Sequence, residues 1–312
     1  MTHNSNISNK TGSTSMLDFY IVQRTLGSGF TSKVKLVQDP FSNTLYAAKV
    51  IKLLPKFSPY YYRSLLLSEV ACLRKVTHKN IIKIFSYREL GSYTSKSKGF
   101  YKCMYIILEY CPHGDLFSLL ETKKNLNENT SLLFFRQIID ALETCHKSGF
   151  SHGDLKPENI LISDDGIKII DFALCTKIAQ QDRKCIGTHQ YLPPECHIKQ
   201  NIDVIKSDLF LAGVVLFIMY VGCPPFQCTD SEDTLYNMIK VGEKDKFWGF
   251  FERRRPNKKF SQDFKTLIEG LLEFDPNKRI GYEQIKKNSW FQQNIDEETV
   301  MQFITQNFSK YI

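Results

Sequence analysis

The chain has 312 residues, of which 42% are apolar and 24% charged, as expected for a soluble globular protein with one large domain or two lobes. Its net charge of +8 is moderate, and basic clusters such as residues 253–255 are more typical of a solvated face than of a nucleic-acid-binding stripe. Nine cysteines without a Cys-x-x-Cys pair do not suggest a disulfide framework or a zinc site, so we expect reduced thiols in a cytoplasmic or nuclear protein.

The N-terminal residues 1–17 are predicted to form a mobile tail, because their first part is rich in Asn, Ser and Thr. They lack the apolar core of a signal peptide, and Thr2 excludes N-myristoylation. The longest apolar run, residues 209–222, is shorter than the roughly twenty residues that span a bilayer, so it predicts a buried helix. We expect no association with a membrane.

Alternating apolar positions between residues 18 and 50 predict strands separated by two turns. The first turn contains Gly27 and Gly29, where backbone amides could approach phosphate oxygens closely. A glycine pair is a weak signal by itself, since hairpins use the same residues. Lys49 on a following strand lies on an exposed face or has an anionic partner, and Glu69 in the helical stretch 61–75 is placed to be that partner.

Two more apolar strands, residues 81–87 and 104–109, flank a Ser- and Lys-rich segment, residues 91–99, which we expect to be a surface loop. The pattern breaks at residues 111–114, and the sequence that follows is mainly helical, with a long amphipathic helix at about residues 129–148. A sheet lobe followed by a helical lobe would leave a cleft suited to a nucleotide.

The stretch 151–159 contains Asp154, Lys156 and Asn159 within six residues. An acid to orient a hydroxyl, a cation to hold a phosphate and an amide to hold a metal are the groups that phosphoryl transfer needs. Asp171 ends an apolar run shortly after them. Each of these residues alone could be an ordinary polar residue of a loop. Asp208, which lies just before the long apolar run, could likewise be an ordinary acid near a helix N-terminus.

Taken in order, these motifs resemble those of the eukaryotic protein kinases over about residues 18–292. The matching stretches are the glycine-rich loop at Gly27, Gly29 and Val34, the strand lysine Lys49, its helix partner Glu69, the catalytic loop 152–159, the magnesium motif 171–173 and the end of the activation segment 193–195. The resemblance also implies a buried ion pair between Glu195 and Arg279.

The fold class implied by the resemblance is α+β, the bilobal protein-kinase fold. Residues 18–110 would form an N-lobe with a small antiparallel β-sheet and one main helix. Residues 111–292 would form a larger, mostly α-helical C-lobe, and residues 293–312 a C-terminal helical tail. Lys156 is typical of the serine/threonine branch, and the C-terminal part is loosely most similar to the calcium/calmodulin-dependent and AMP-activated kinase-like group.

The reaction implied by the resemblance is transfer of the γ-phosphoryl group of ATP to a protein hydroxyl, with Mg2+. Asp154 would orient the hydroxyl, Lys156 would steady the γ-phosphate, and Lys49, held by Glu69, would bind the other phosphates. The metal ligands would be Asn159 and Asp171. The remaining contacts to ATP would come from Leu26, Gly27, Ser28, Gly29, Val34, Ala47, Glu109, Cys111, Asp115 and Leu161.

Three positions depart from the family pattern. Gly153 replaces an arginine that normally grips a phosphate on the activation segment, and the usual phosphorylated position holds Lys184. We therefore expect activity that does not depend on phosphorylation of that segment. Ala173 replaces a glycine and would disfavour positive φ, which would restrict flipping of the magnesium motif. Pro194 replaces an alanine, for which the sequence offers no explanation.

Two alternatives remain at this point: a pseudokinase or scaffold that binds ATP without efficient transfer, and a metabolic kinase of small molecules. The segment 187–195 resembles a peptide-docking segment and favours protein substrates. Asp115 and Glu158 lie where basophilic relatives bind an arginine upstream of the target, whereas a third acid is replaced by Ile218, so this preference would be partial. We expect a monomer without a nucleic-acid partner.

Overall fold

The computed structural model describes residues 14–29, 32–51, 53, 58–95, 99–180, 187–198, 202–229 and 233–308. Contacts between residues divide the chain into two compact units. The first consists of Met1–Leu66 and Ile84–Tyr110, and the second of Leu67–Lys83 and Cys111–Ile312. Residues 67–83 thus belong to the second unit by their contacts, although they lie within the stretch predicted to be the N-lobe.

The first unit is a closed antiparallel barrel with the strand order β1-β2-β3-β4-β6-β5. The elements are β1 (Met16–Leu17), β2 (Tyr20–Ser28), β3 (Ser32–Gln38), β4 (Leu45–Ile51), β5 (Ile84–Ser95), β6 (Gly99–Leu108) and the first part of helix α1 (Pro59–Lys75). Alternation along each strand separates two faces. Val37, Ala48, Val50, Tyr105 and Ile107 belong to one buried cluster.

The mobile tail predicted for residues 1–17 is wrong at its C-terminal end. Met16 and Leu17 form β1, which pairs with β2 and β5, and the Leu17 side chain is fully buried in the barrel cluster. An apolar side chain with a place in the core holds this segment in the sheet despite its polar surroundings. Residues 1–13 lie outside the described residues.

The surface loop predicted for residues 91–99 is wrong at residues 91–95 and 99, whereas residues 96–98 lie outside the described residues. Strands β5 and β6 pair with each other, with Gly91 opposite Cys103 and Tyr93 opposite Tyr101. The tyrosine rings stack with centroids 5.1 Å apart, and alternation along β5 places Ser92 and Thr94 on the other face. Alternation of polar and aromatic residues is a strand pattern, which the high Ser and Lys content concealed.

The second unit is mainly helical and contains two short strand pairs, β7 with β10 and β8 with β9. Its helices beyond α1 are α2 (Leu116–Lys123), α3 (Glu128–Lys147), α4 (Pro194–Ile198), α5 (Val204–Val221), α6 (Thr234–Lys240), α7 (Lys244–Arg254), α8 (Gln262–Leu271), α9 (Tyr282–Lys287), α10 (Ser289–Gln292) and α11 (Glu297–Phe308). Its strands are β7 (Phe150–Ser151), β8 (Ile160–Ser163), β9 (Gly166–Ile169) and β10 (Thr176–Lys177).

Helix α5 forms the centre of the second unit. It begins after Asp203, whose carboxylate accepts hydrogen bonds from the backbone N–H groups of Ile205 and Lys206, and it ends at Gly222, which has a left-handed conformation. The helix has the length and composition to cross a membrane, but 78% of its 18 residues are buried within the protein. Such burial is typical of the core helix of a globular unit, as the apolar run predicted.

The C-terminal helix α11 packs against α3 of the second unit. Val300 and Ile304 of α11 are almost completely buried. The chain between α10 and α11 is fixed by Arg136 of α3, whose guanidinium donates to the backbone carbonyls of Phe291 and Gln293. The apolar repeat of α11 therefore marks a face that packs on the body of this unit.

Seven of the eight cysteines that the structure describes are free thiols. The free thiols are those of Cys72, Cys103, Cys111, Cys145, Cys175, Cys223 and Cys228. Cys196 is disulfide-bonded, so the expectation of reduced thiols is wrong at this position. Because a disulfide needs only proximity in the folded chain, the absence of Cys-x-x-Cys spacing could not exclude it.

The ion pair implied between Glu195 and Arg279 is present and buried. Two parallel hydrogen bonds of 2.7 and 2.8 Å join the guanidinium to the carboxylate, and both side chains are at most 1% exposed. Ser207 also donates to Glu195, and Arg279 donates to the carbonyls of Lys206 and Glu273. These bonds connect α4, α5 and the segment after α8.

Replacing Arg279 by methionine should destabilise the protein by about 3–5 kcal/mol, because it leaves the carboxylate of Glu195 buried without its partner. The matched control is Lys246→Met, which removes an exposed pair with Glu243 and should cost less than about 1 kcal/mol. Equilibrium urea denaturation measures both free energies of unfolding. Equal costs for the two variants would contradict the importance of the buried pair.

Candidate active site

The loop between β7 and β8 is anchored by Asp208, a fully buried residue in the second turn of α5. Its carboxylate accepts hydrogen bonds from the backbone N–H groups of His152 at 2.6 Å and Gly153 at 2.8 Å. His146 Nε2 is a third partner, at 2.8 Å. Asp203 caps the helix, so Asp208 is not the ordinary helix N-terminal acid that its position alone would suggest.

The charge of Asp208 is maintained by these partners. Burial alone would raise its pKa, but the hydrogen bonds from His146 and from the N–H of Gly153 lower the pKa below its ordinary value. The carboxylate is therefore ionised at neutral pH and can accept all of these hydrogen bonds. Its position in a rigid helix fixes the backbone immediately before Asp154.

The backbone conformation at Gly153 would be strained for any other residue. Its φ is +82°, which favours glycine, and a Cβ atom built there would lie 2.9 Å from the carbonyl oxygen of Leu174. A backbone oxygen cannot move aside as the end of a side chain can. The glycine thus permits close approach of residues 153 and 174, and an arginine here would require the backbone to shift.

Asp154 lies at the centre of the most closely connected polar cluster in this loop. Its Oδ1 accepts hydrogen bonds from the backbone N–H and the hydroxyl of Thr188, both at 2.9 Å. Its Oδ2 accepts from Lys156 Nζ at 2.7 Å and from Asn159 Nδ2 at 3.3 Å. The structure therefore brings together the three polar residues singled out in the stretch 151–159.

Thr188 and His146 were missed as site residues by the sequence reasoning. Lys156 Nζ donates to the Thr188 hydroxyl at 2.6 Å, so Thr188 bonds to both Asp154 and Lys156. Thr188 entered the sequence analysis only as part of the segment 187–195, which resembles a peptide-docking segment. His146 gave no signal, because nothing in the helical pattern of α3 distinguishes it from its neighbours.

Asn159 and Asp171 are neighbours through the backbone, since the N–H of Ile170 donates to the Asn159 carbonyl at 2.9 Å. The Asn159 amide nitrogen donates to Asp154, which leaves its side-chain oxygen as a ligand for a cation. Asp171 has a left-handed backbone, with φ 64° and ψ 70°, which is uncommon for a residue other than glycine. Such conformations cluster at functional sites.

The donor set of Asn159 and Asp171 fits Mg2+. This ion prefers oxygen ligands and uses one or two protein carboxylates, completing its shell with phosphates and water. Zinc and similar metals would need several His, Cys or acidic ligands, and no such group of three or more occurs among the described residues. The chemistry of the two side chains therefore favours magnesium over a transition metal.

The structure gives the backbone conformation of Ala173, the residue at which the magnesium motif departs from the family pattern. Ala173 lies in a turn of 3-10 helix, Phe172–Leu174, and is not among the residues with positive φ. The preceding Phe172 is buried and packs on the His152 ring, with centroids 4.7 Å apart. An alanine is compatible with this conformation, as the sequence suggested, whereas it would oppose a flip to positive φ.

The nucleotide contacts assigned to the first unit share one face of its sheet. Val34 lies opposite Gly27 and Lys49, and Ala47 lies opposite Leu108, which immediately precedes Glu109. This face is opposite to the one that carries the barrel cluster. Residues 30 and 31 of the glycine-rich loop lie outside the described residues, whereas Leu26, Ser28 and Gly29 lie at the end of β2 and just after it.

The nucleotide contacts assigned to the second unit are also neighbours. Asp115 and Leu161 form an antiparallel bridge, and Cys111 begins the segment that leads to them. The Asp115 carboxylate accepts a hydrogen bond from the N–H of Ser118 at 2.7 Å and caps α2. Glu69 belongs to this unit and is buried, whereas Lys49 belongs to the first, so their pairing stays a prediction.

Comparison with known proteins gives one consistent result. Residues 20–291 match the protein kinase domain family. The chain is 33% identical over 280 residues to CBL-interacting protein kinase 24 of Oryza sativa subsp. japonica, a match that covers 87% of the chain and 56% of that protein. It is 32% identical over 283 residues to CBL-interacting serine/threonine-protein kinase 24 of Arabidopsis thaliana, covering 88% of the chain and 58% of the relative.

A third relative, a probable serine/threonine-protein kinase of Dictyostelium discoideum, is 32% identical over 284 residues, covering 89% of the chain and 31% of that protein. The chain thus spans little more than half the length of the plant relatives. The family match covers both units, and the fold, the ordered motifs and the buried ion pair agree with it. The chain therefore belongs to the protein kinase domain family, and two of the relatives it resembles are named as serine/threonine-protein kinases.

Proposed function

We propose that this protein is an ATP-dependent serine/threonine kinase that transfers the γ-phosphoryl group to hydroxyls of other proteins. The observation that carries the proposal is the position of Asp154, with its carboxylate bonded to Lys156, Asn159 and the Thr188 hydroxyl. The bond to Thr188 has the chemistry that an incoming serine or threonine hydroxyl would need.

In the proposed reaction, Asp154 orients the substrate hydroxyl and accepts its proton, and Lys156 places a positive charge beside the transferred group. Asn159 and Asp171 would hold magnesium, which supplies positive charge against the phosphate oxygens when bound. Lys49, with Glu69 as its partner, would bind the α- and β-phosphates. Catalysis of this type depends on positioning and electrostatics more than on covalent chemistry by the protein.

Independence from activation-segment phosphorylation is the second part of the proposal. Gly153 supplies no guanidinium to receive a phosphate, and its φ of +82° and close approach to Leu174 leave little room for a side chain. The segment instead has fixed contacts to the catalytic loop through Thr188 and Asp154. Lys184, the residue at the usual phosphorylated position, lies outside the described residues.

A partial preference for a basic residue upstream of the target is the third part. Glu158 Oε2 is buried and has no hydrogen-bond partner among the residues that the structure describes, so a substrate cation would supply one. Burial, and then the charges of Glu158 and Asp154, raise the pKa of Tyr191 to about 12, which supports a negatively charged region there. Ile218 supplies no third acid.

We also propose that the protein acts in the cytoplasm or nucleus.

Asp154→Asn should lower kcat by about 10²- to 10⁴-fold, because the amide cannot accept the substrate proton. Transfer of radiolabelled phosphate to a protein substrate measures this, with exposed Asp245→Asn in α7 as the matched control. Nucleotide binding without Asp154-dependent transfer would instead favour a pseudokinase or scaffold.

Recombinant protein treated with a phosphatase should keep its full kcat, because the catalytic loop lacks a residue that would respond to a phosphate on the activation segment. The measurement compares kcat before and after treatment, with mass spectrometry to verify dephosphorylation. An inactive product that recovers when the segment is phosphorylated would refute this part of the proposal.

Glu158→Gln should reduce the preference for arginine over alanine upstream of the target from about two- to fivefold to near one, as expected for one partly solvated ion pair. The measurement is kcat/KM for matched peptides from a peptide-library scan. Glu121→Gln, at an exposed position in α2, is the control. An unchanged preference in Glu158→Gln would rule out this residue as the acceptor of the cation.

A further inference from the structure

Tyr282, in the first turn of α9, forms a hydrogen bond that neither the motifs nor the proposed reaction explains. Its hydroxyl lies 2.6 Å from His146 Nδ1, and the two rings meet edge to face with centroids 5.8 Å apart. The other ring nitrogen of His146, Nε2, lies 2.8 Å from Asp208. Tyr282 is therefore the outer end of a chain of hydrogen bonds that reaches the catalytic loop.

The direction of these hydrogen bonds follows from their chemistry. An ionised carboxylate only accepts, so His146 must carry a proton on Nε2 to bond to Asp208. In the neutral imidazole, Nδ1 is then an acceptor, and the Tyr282 hydroxyl is the donor that faces it. Burial, and then the charges of Asp208 and Glu143, raise the pKa of Tyr282, so the phenol keeps its proton.

We propose that Tyr282 is a positioning residue for phosphoryl transfer, which fixes the orientation of the His146 ring so that Nε2–H donates to Asp208, and so holds the backbone before Asp154. This role rests on the proposed kinase function. Without the phenol, Nδ1 of His146 loses its hydrogen-bond donor and the ring is held less firmly, so the hydrogen bond from Nε2–H to Asp208 is weakened. Asp208 would retain only its backbone donors on His152 and Gly153.

A simpler interpretation is that Tyr282 only fills space beside α3. Phenylalanine would then replace it with no effect on the reaction, because the ring and its contacts remain. The two interpretations differ in what happens to His146, since only the positioning role makes the hydrogen bond from its Nε2–H to Asp208 depend on the Tyr282 hydroxyl. Nuclear magnetic resonance of the imidazole Nε2–H group reports the strength of this hydrogen bond directly.

The matched control is provided by Tyr236, a buried tyrosine of the second unit. Its hydroxyl is buried without a hydrogen-bond partner among the described residues, so Tyr236→Phe removes a hydroxyl that contributes no bond. Removal of an unsatisfied polar group should leave stability equal or higher. The two Tyr→Phe variants therefore differ only in whether the lost hydroxyl belonged to the chain through His146.

For Tyr282→Phe, we expect kcat to fall about 3- to 10-fold, as for the loss of one buried hydrogen bond, with KM for ATP and for the peptide unchanged. We also expect the resonance of the His146 Nε2–H group to shift toward that of a weaker hydrogen bond. Tyr236→Phe should change neither quantity. All rates are normalised to the folded fraction, so that a loss of stability alone does not lower kcat.

If the wild-type protein is active and Tyr282→Phe leaves kcat or the His146 Nε2–H resonance unchanged, the role of Tyr282 is overturned and the proposed function stays intact. A fall in kcat equal to that of Tyr236→Phe would also overturn it. Wild-type protein that transfers no phosphate would overturn the proposed function itself, which the resonance measurement does not test.

Discussion

The catalytic loop depends on one buried carboxylate. An ionised Asp208 inside the protein is tolerated only because donors surround it, and two of these are backbone N–H groups of residues 152 and 153. The same bonds that satisfy the carboxylate therefore fix the path of the loop. Because Asp208 belongs to the most deeply buried helix, α5, this path is as rigid as the core of the second unit.

Gly153 shows how the backbone and the side chain at one position can serve different purposes. The left-handed φ and the nearby Leu174 carbonyl favour glycine for local steric reasons. The same choice removes the arginine side chain that the family resemblance leads us to expect there. A relaxed backbone at this position and the lack of a guanidinium are thus two consequences of one residue. The second consequence is the basis of the proposed independence from phosphorylation.

The sequence was most informative where the interacting residues lie close together in the chain. Asp154, Lys156 and Asn159 fall within one loop, so their spacing already predicted a cluster, and the ion pair of Glu195 with Arg279 followed from the family resemblance. The bond from Thr188 to Asp154 joins residues separated by 34 positions, and that from Gly153 to Asp208 spans 55. Spacing along a chain contains no information about such distances.

The influence of Asp208 extends beyond the catalytic loop to the magnesium motif. His152, whose backbone Asp208 holds, directs its Nε2 to the Ile170 carbonyl at 3.0 Å and packs its ring on Phe172. These two contacts lie on either side of Asp171, whose left-handed backbone costs about 1–3 kcal/mol and persists only where its surroundings enforce it. The buried carboxylate thus positions the proposed base directly and the proposed metal ligand through His152, which couples the two sites to one anchor.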